Sequence, residues 1–385
     1  MPRYRFEDIA INSKEKVKAE KIDQSLYIGL EHLEPGCLSV KSWGSDVPIK
    51  GDKLVMHKGD VLFGKRNAYL RRAAIAPHDG AFSAHGMVLR PKENVIDSEF
   101  FPLFIASDYF FDAAIRISVG SLSPTVNWKD LKNIEFNIPP IPIQRELSKV
   151  LWAINDTKEA YRQLIQDTDE LVKSQFIEMF GDPFDNPNGY QLQPLSEVAS
   201  IVSGITKGRK TKSNVLIQVP YMSTANVKDG HVDWSDVKKI EATPEEIQQY
   251  NLMPDDILMT EGGDPDKVGR GCMPGSTPVN CIYQNHIFRV RLNQSKVMAP
   301  YFARYITLPR VRAYFLQCSK QTTGIASINK KQLGELPVMF PDIDQQNEYI
   351  AFADQSDKSK FVTCTINKLI EGMTLCLRKT IQLSR

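Results

Sequence analysis

The sequence is poor in cysteine and has no long hydrophobic run. Its six cysteines form no CxxC pair, and their spacing matches neither a zinc ribbon nor a disulfide framework, so we expect reduced thiols. They are Cys37, Cys272, Cys281, Cys318, Cys364 and Cys376. No stretch approaches about 18 apolar residues, so no membrane-spanning helix is predicted. The N-terminal decapeptide lacks the apolar centre of a signal peptide, from which we expect a cytoplasmic protein.

The sequence also lacks a strong net charge. Its 48 Lys and Arg residues against 46 Asp and Glu leave +2, which excludes a histone-like binder that is basic throughout. Because 42% of the residues are apolar and 24% are charged, disordered and fibrous chains are excluded as well. At roughly 100–200 residues per domain, 385 residues predict two or three domains. Nucleic-acid binding stays open, because a total charge averages over local patches.

What the chain does have is a long internal repeat. Six groups of residues recur in the same order, with offsets from 189 (Phe6 to Leu195) to 202 (Gln144 to Gln346). The groups are Phe6–Ala10 with Leu195–Ala199, Tyr27–Ile28 with Tyr221–Met222, Gly59–Leu62 with Asp255–Leu258, His85 with His286, Asn127 with Asn329, and Gln144 and Glu146 with Gln346 and Glu348. The alternative is two unrelated α/β domains with generic strand patterns, but six ordered matches favour a duplication.

Each copy has the same predicted order of elements: short apolar strands, a helical segment, a Ser/Thr/Gly-rich loop and a Pro-marked strand. They are predicted at 60–63, 86–89, 99–117, 118–124 and 134–140 in the first copy, and at 256–259, 287–290, 301–317, 319–327 and 336–341 in the second. This order predicts a mixed α/β (α+β) fold, with globular domains at 1–141 and 182–340.

A long segment with one apolar stripe closes each copy. Apolar residues at spacings of three, four and seven predict a first helix over 142–181, about 57 Å long at ~1.5 Å per residue, and a second over 341–385. We expect the two to pair as an antiparallel coiled coil. The predicted interface residues are Leu147, Leu151, Ile154, Tyr161, Ile165 and Val172 on the first helix, and Ile366, Leu369, Met373 and Leu377 on the second.

Basic residues concentrate in the globular parts. Residues 57–90 hold six basic and two acidic residues, and 301–331 hold six basic and no acidic residue, whereas 142–181 holds five basic and seven acidic residues. Such patches, rich in groups that bind phosphate or base edges, favour a polyanion partner. The candidate DNA-binding residues are Lys65, Arg66, Asn67, Tyr69, Arg71, Arg72 and His85, and, in the second copy, Lys207, Arg209, Lys210, Lys212, Glu261, Asp264, Lys267, Arg270, Gln284, Asn285, His286, Lys320 and Lys330.

No catalytic or metal site is predicted. The segment Asn137–Pro140 is similar to the Asn-Pro-Pro-aromatic motif of amino-methyltransferases, but it has an inserted Ile and no following aromatic residue. No GxGxxG opens a helix after a strand, and 262–271 lacks the Gly-Lys-Ser/Thr ending of a phosphate loop. A nuclease or methyltransferase of unfamiliar type stays open, because Asp256, Glu261 and Asp264 lie near Lys267 in the sequence.

Taken in order, the motifs resemble the specificity subunit of type I restriction–modification systems over essentially the whole chain. They are Gly59–Arg66 with Phe82–His85, Ile138–Glu146, Phe180–Pro183 before Asn188–Gly189, Glu261–Asp264, Gln284–His286 and Ala326–Asn329. The second copy departs at Pro341–Glu348, which has one Pro where the first copy has three, so the start of its helix is less well defined.

The resemblance implies two target recognition domains that read a bipartite, asymmetric site on double-stranded DNA. The two helices would join them in a pseudo-twofold arrangement and dock two adenine-methylating modification subunits, which bring S-adenosylmethionine. Restriction subunits with ATP and Mg²⁺ could join, and this chain would bind no cofactor and be non-catalytic. The alternative is a coiled-coil protein-interaction scaffold without DNA specificity.

Overall fold

A computed structural model describes residues 1–210, 215–322 and 325–358. The described chain divides into two compact units, 1–162 and 163–358, each with its own core. Among the described residues, no helix combines the length and the apolar content needed to cross a bilayer.

The first unit is a mixed α/β domain. Its strands are Arg3–Arg5, Ala10–Ser13, Lys16–Val17, Tyr27–Ile28, Lys53–Met56, Val61–Phe63, Ala73–Ile75, Gly80–Phe82, Met87–Pro91 and Glu135–Asn137. Its short helices are Phe6–Ile9, Phe100–Ile105, Asp108–Arg116 and Trp128–Leu131, with single 3₁₀ turns at Ala19–Lys21, Gln24–Leu26, Leu30–His32 and Ala68–Leu70. Most strands pair antiparallel, but Tyr27–Ile28 runs parallel to Gly80–Phe82.

The second unit repeats this plan. Its strands are Gln191–Pro194, Ala199–Ser203, Ile217–Met222, Lys238–Ala242, Ile257–Thr260, Gly262–Gly263, Gly271–Cys272, Ile282–Tyr283, Ile287–Leu292, Lys320–Thr322, Ile325–Ser327 and Pro337–Phe340. Its short helices are Leu195–Val198, Pro244–Tyr250, Ala299–Tyr305, Pro309–Cys318 and Lys330–Gly334, with a 3₁₀ turn at Pro265–Lys267. Residues 343–358 are helical as well.

Sheet order establishes the duplication that the sequence predicts. In the first unit a four-stranded antiparallel sheet places Met87–Pro91 between Ala10–Ser13 and Val61–Phe63. In the second, Ile287–Leu292 lies in the same way between Ala199–Ser203 and Ile257–Thr260. The parallel pair recurs too, because Tyr221 and Met222 are in register with Ile282 and Tyr283. The mixed α/β fold with two repeated units is therefore confirmed.

The helical segments predicted at 99–117 and 301–317 are present, and each consists of two helices. In the first unit, the Ser107 hydroxyl donates to the Phe104 carbonyl and accepts from the Phe110 amide, so it ends one helix and caps the next. In the second, Pro309 opens the new helix, and a proline disfavours helical backbone at the residue before it.

Sequence patterning also missed a strand at the entrance to each unit. Arg3–Arg5 pairs with Glu135–Asn137, and Gln191–Pro194 pairs with Pro337–Phe340. Both entrance strands are short and largely exposed, so they have no buried apolar alternation to reveal them. Each of them ties the start of its unit to the strand that leads into a long helix.

One helix of 40 residues, Ile141–Phe180, belongs to both units; the sequence predicted it over 142–181. Leu147 and Leu151 pack partly against the first core, and Val172 is buried in the second. These three side chains therefore contact globular cores, and their predicted role in helix pairing stays a prediction.

The remaining predicted interface residues on this helix, Ile154, Tyr161 and Ile165, are half-buried. Their predicted partners Ile366, Leu369, Met373 and Leu377 lie outside the described residues. Antiparallel pairing of the two long helices therefore stays a prediction.

Aromatic side chains fill both cores. The rings of Phe6, Phe110 and Phe136 meet with centroids 5.2–5.9 Å apart in the first unit. In the second, the Phe176 ring on the long helix contacts Tyr301 at 5.4 Å. Edge-to-face and offset contacts at such distances add about 0.5–1.5 kcal/mol per pair to the hydrophobic contribution.

The prediction of reduced thiols is confirmed for the four described cysteines. Cys37, Cys272 and Cys281 are buried, Cys318 is half-buried, and none forms a disulfide. Burial raises the pKa of Cys272 and of Cys281 to about 12, so both thiols stay protonated at neutral pH. Cys364 and Cys376 lie outside the described residues.

A fully buried glutamine fixes the start of the first long helix to its unit. Gln144 Nε2 donates to the carbonyls of Val95 (3.0 Å) and Pro139 (2.7 Å), and its Oε1 accepts from the Asp97 amide (2.7 Å). The side chain thus satisfies three backbone groups from two segments that the helix must meet. Removing it would leave buried polar groups unpaired.

The second unit has an equivalent glutamine. Gln346 is also fully buried, and its Nε2 donates to the carbonyls of Lys296 and Pro341, both at 2.8 Å. Its Oε1 accepts from the Met298 amide at 2.9 Å. The sequence match between Gln144 and Gln346 therefore marks the same contact in both units, between the start of a helix and the globular part.

Candidate nucleic-acid interface

A buried ion pair underlies the candidate site of each unit. Asp60 stands at the turn into Val61–Phe63 and accepts from Arg90 Nε (2.7 Å), Arg90 Nη2 (2.9 Å) and the His57 amide (2.8 Å). The carboxylate is almost fully buried, and the bidentate geometry satisfies it. The ion pair ties this turn to the strand Met87–Pro91, which pairs with Val61–Phe63, and the loop 64–72 follows Val61–Phe63.

Asp256 has the same role in the second unit. It accepts from Arg291 Nε (2.7 Å), Arg291 Nη2 (2.8 Å) and the Met253 amide (2.7 Å), and it is fully buried. Its oxygens are therefore engaged in structure. Asp256 thus leaves the group of acidic residues on which the nuclease or methyltransferase alternative was based. Among the described residues, no three His, Cys, Asp or Glu side chains gather as a metal ion would require.

The loop that follows each strand is held by matching backbone hydrogen bonds. In the first unit, the Gly64 amide donates to the Arg72 carbonyl and the Val126 amide to the Lys65 carbonyl, both at 2.9 Å. We call residues 64–72 the first loop.

In the second unit, the Thr260 amide donates to the Arg270 carbonyl at 2.9 Å, and the Ile328 amide donates to the Glu261 carbonyl at 2.8 Å. We call residues 260–270 the second loop. The two loops therefore start and close in the same way.

Part of each Ser/Thr/Gly-rich segment predicted as a loop pairs with these loops. In the first unit, Val119 and Thr125 exchange both backbone hydrogen bonds (3.0 and 2.9 Å), and Thr125 also bridges Arg66. We call residues 118–125 the first hairpin. Pairing supplies partners for backbone amides and carbonyls that lie against the globular domain.

The second hairpin is formed by Lys320–Thr322 and Ile325–Ser327. Its second strand also pairs with Gly262–Gly263 of the second loop. Each loop and its hairpin thus form one small paired surface at the end of a buried strand, which we call the first site and the second site. The first site includes His85, and the second includes Gln284, Asn285 and His286.

The first loop is strained at both ends of a short 3₁₀ turn. Asn67 (φ 54°) and Arg71 (φ 53°) adopt left-handed backbone around Ala68–Leu70. Arg71 is held there because its guanidinium bonds Asp108 and Asp112, both at 2.6 Å. The result is an exposed Tyr69 at the turn, and an Arg71 whose charge is engaged within the domain. Strained non-glycine residues of this kind often mark functional loops.

The first loop also contains two buried polar atoms whose hydrogen-bonding capacity is unused within the described part of the chain. Among the described residues, Asn67 Oδ1 and Arg72 Nε have no hydrogen-bond partner. Both residues were predicted to bind DNA, and both lie half-buried at the rim of the first site.

Positive charge dominates the first site. Arg66 is exposed, and its Nη2 donates to the Ser123 hydroxyl at 3.2 Å. Burial, followed by repulsion from Lys16, lowers the pKa of Lys65. Burial, followed by repulsion from Arg66, Lys65 and Lys53, lowers the pKa of His85. A phosphate placed here would relieve this repulsion.

The second site combines both signs of charge. His286 Nδ1 lies 2.7 Å from Glu261 Oε2, and Asn285 Nδ2 lies 3.3 Å from His286 Nε2. Lys267 pairs with Asp264 within the loop, and Gln284 Oε1 accepts from the Thr224 amide at 3.4 Å. The site therefore offers carboxylate, amide and imidazole groups as well as cations.

The other predicted residues are spread more widely. Arg209 Nε bonds Glu246 at 2.6 Å, which lowers the pKa of that carboxyl group and engages the arginine charge. Lys207 and Lys210 are exposed beside Arg209, and Lys212 lies outside the described residues.

Two further predicted residues lie at the second site, and a third lies on the helix that follows the second hairpin. Arg270 is half-buried where the second loop closes, Lys320 is exposed on the second hairpin, and Lys330 is exposed at the start of a helix that Asn329 caps. Lys320 and Lys330 are therefore accessible to a large anion.

Sequence reasoning missed the hairpin residues and two lysines. Ser123 supports Arg66, while Lys16 and Lys53 come from neighbouring strands and influence the pKa values of Lys65 and His85. Lys16 and Lys53 are far from Lys65 or His85 along the chain, so only the strand order brings them together. The Ser-rich composition of 118–125 was the available signal for the hairpin.

Comparison with known families agrees with these features. The type I restriction modification DNA specificity domain matches residues 6–167 and 187–371, which covers both copies of the repeat. The chain belongs to this family. Members are thus described as DNA specificity domains, in accordance with the resemblance of the sequence motifs.

Curated relatives of this specificity-domain protein include two bacterial subunits. The type I restriction enzyme EcoKI specificity subunit of Escherichia coli K12 is 25% identical over 300 residues, covering 72% of this chain and 62% of the relative. The StySPI specificity subunit of Salmonella potsdam is 24% identical over 298 residues, with the same two shares. The chain therefore matches 62% of the length of these relatives.

A solved structure supports the fold. It concerns complex assembly and conformational transition of the type I R-M system, and one of its chains matches with a TM-score of 0.50 at 19% identity. The match covers 97% of this chain and 95% of that chain. At this identity the likeness bears on the fold alone.

Proposed function

We propose that this chain recognises a bipartite, asymmetric site on double-stranded DNA, with each unit reading one part. The observation that carries the proposal is the repetition of one loop-and-hairpin frame with different side chains. Lys65 stands where the second frame has Glu261, as the matched backbone hydrogen bonds show. Two equivalent frames with different chemistry fit two different base sequences.

Each site offers groups that suit its part of the task. Arg66 is an exposed guanidinium that can donate two hydrogen bonds to guanine, while Lys65 and the neighbouring lysines suit phosphate. In the second site, Glu261 can accept from cytosine, and Gln284 or Asn285 can pair with adenine. Lys320 and Lys330 would hold the backbone and supply register.

In this proposal the chain is a non-catalytic subunit that acts in the cytoplasm. The long helices would space the two units on DNA and dock two modification subunits, which methylate adenine with S-adenosylmethionine. Restriction subunits, where present, would bring ATP and Mg²⁺. The burial of Asp256 under Arg291 supports a non-catalytic role for this chain. It leaves one carboxylate fewer for the proposed alternative of a nuclease or methyltransferase site.

Salt dependence tests DNA recognition directly. The chain, purified with its modification subunits, should bind its duplex target with an affinity that falls steeply between about 50 and 200 mM salt, because phosphate contacts release counterions. Flat affinity over this range would contradict the proposal. Capture of partner proteins without DNA affinity would support the scaffold alternative instead.

A second assay tests the absence of chemistry. The isolated chain, incubated with duplex DNA, S-adenosylmethionine and Mg²⁺, should neither methylate nor cleave the DNA. Addition of the modification subunits should restore methylation. Methyl transfer or cleavage by the isolated chain would overturn the non-catalytic assignment.

A further inference from the structure

The tip of the first hairpin carries an apolar side chain in water. Leu122 is 94% exposed, and Val119 on the same hairpin is 65% exposed. The tip is otherwise small and polar, with Gly120 and two serines around the leucine. A leucine this exposed contributes almost nothing to the core of its domain.

The base of this hairpin is firmly held. Besides the Val119–Thr125 pair, the Asn67 amide donates to the Pro124 carbonyl at 2.7 Å. The Thr125 hydroxyl donates to the Ser123 carbonyl at 3.0 Å. Leu122 therefore projects from a fixed support, so presenting it to a partner requires little ordering of the chain.

The surroundings of the hairpin point to a polyanion. Arg66, an exposed cation, bonds Ser123, the neighbour of Leu122. Lys65 precedes this arginine, and the Arg66 amide donates to the His85 carbonyl at 3.2 Å. An apolar point within a positive surface differs from a protein-docking patch, which would present a broad apolar area with few charges.

We propose that Leu122 inserts between stacked base pairs of the DNA when the first site binds its half of the target. This inference rests on the proposed function. Proteins that bind duplex DNA use Leu, Ile, Phe, Met or Pro side chains as wedges that partly unstack a base step and bend the duplex. Cations beside the wedge hold the phosphates while the step opens. Flexible steps would be favoured, so Leu122 adds sequence preference without a hydrogen bond to a base.

The wedge belongs to the first unit. In the sequence, the corresponding turn of the second hairpin is Thr322-Thr-Gly-Ile325, which has no leucine at its centre. Residues 323 and 324 lie outside the described part of the chain, so the inference is confined to Leu122.

The test uses the chain in complex with its modification subunits, on the target found by sequencing modified adenines. Duplexes carry 2-aminopurine, an adenine analogue that fluoresces when unstacked, in place of each adenine in turn except the methylated ones. Wild-type complex should raise the fluorescence at one step in one half of the target. Leu122→Ala should abolish this rise and weaken target binding about tenfold. The slope of log affinity against log salt should not change, because no charge is lost.

Two variants sharpen the result. Leu122→Phe should keep the fluorescence rise, since a larger apolar wedge still unstacks the step. Val279→Ala, at another exposed side chain outside both sites, should behave as wild type.

Three outcomes would overturn the inference. If the wild-type complex binds its target specifically but Leu122→Ala leaves every fluorescence signal unchanged, the wedge is wrong and DNA recognition stands. If Leu122→Ala instead lowers copurification with the modification subunits, the leucine contacts protein. If the wild-type complex shows no sequence-specific binding, the proposed function fails together with the wedge.

Discussion

The first and second sites share the backbone hydrogen bonds that close their loops, but the loops differ in length and chemistry. The closing hydrogen bonds of the two loops are both 2.9 Å long, and the bonds from Val126 and Ile328 differ by only 0.1 Å. On this common frame, Lys65 occupies the place of Glu261. Because these closing bonds join backbone groups, the side chains at Lys65 and Glu261 can differ without removing them. The comparison indicates how one scaffold can hold two different recognition surfaces.

Charge separates the two sites further. In the first site, burial, followed by repulsion from Arg66, Lys65 and Lys53, lowers the pKa of His85. In the second site, Glu261 pairs with His286, and Asp264 with Lys267. We therefore expect the first site to contribute more of the salt dependence and the second more of the base-edge hydrogen bonding.

The largest expected effect is on stability, and it tests whether Gln144 and Gln346 fix the starts of their helices equally. Gln144→Leu should lower the free energy of unfolding of the first unit by about 3 kcal/mol, because it leaves buried backbone groups without partners. Gln346→Leu should do the same in the second unit. Hydrogen exchange at the Asp97 and Met298 amides, which bond these glutamines, would localise each loss.

Gln166→Leu is the matched control for these two substitutions. Gln166 is exposed on the long helix, and its amide bonds only the Glu170 side chain among the contacts seen here, so the change should stay within about 0.5 kcal/mol. A large loss from one of the two substitutions and a negligible loss from the other would break the equivalence of the two units.

The next effect concerns specificity in the first site alone. Arg66→Ala should change the methylated sequence in one half of the target and weaken binding to the original target by about 1–3 kcal/mol. Sequencing of modified adenines in cells that express the variant would show the change. Arg5→Ala, an exposed arginine on the entrance strand, should leave the sequence unaltered. A change in both halves would contradict independent reading.

A pH effect tests the role of His85 in the first site. The pKa of His85 is lowered by burial and by Arg66, Lys65 and Lys53, so the free protein holds little proton there at pH 7. Phosphate would raise this pKa, and binding should then take up at most about one proton. Affinity should therefore rise as the pH falls from about 8 to 6. Calorimetry in buffers of different ionisation enthalpy measures the uptake.

His85→Gln should remove most of this proton uptake, whereas His231→Gln, at an exposed residue outside both sites, should retain it. Equal uptake by wild type and His85→Gln would mean that no phosphate approaches the first site.

The smallest effect is expected at a phosphate-type contact in the second site. Lys320→Ala should weaken binding to all sequences alike and reduce the salt slope by about one, with no change in the methylated motif. Filter binding over a salt series on target and unrelated duplexes provides the measurement. If Lys320→Ala behaved like Arg66→Ala, the distinction between base readers and phosphate contacts would be wrong.

Much of the fold was visible in the sequence because the repeat contains, in both copies, buried polar residues that hydrogen-bond to the backbone. Asp60 and Asp256, like Gln144 and Gln346, satisfy groups that few other side chains could reach, so they recur in the same order in both copies. The breaks at Ser107 and Pro309 were missed because apolar periodicity continues across them. The capping serine and the proline end those helices although the apolar periodicity continues.

The sites were only partly predictable. Arg66 and the Glu261–His286 pair stand in strongly charged or polar segments, which made them candidates. Arg71 and Arg209 looked equivalent to Arg66, yet carboxylates of their own units bind them. Partners such as Asp108 and Glu246 come from helices that no spacing rule connects to these arginines. Leu122 carried no signal, because an exposed leucine and a core leucine are identical in sequence.

The most direct test of two-part reading is sequencing of modified adenines in cells that carry the chain with its modification subunits. Wild type should give one motif made of two separated halves. Arg66→Ala should alter only one half, and Glu261→Gln only the other. A single continuous motif, or variants that both alter the same half, would contradict the assignment of one half-site to each unit.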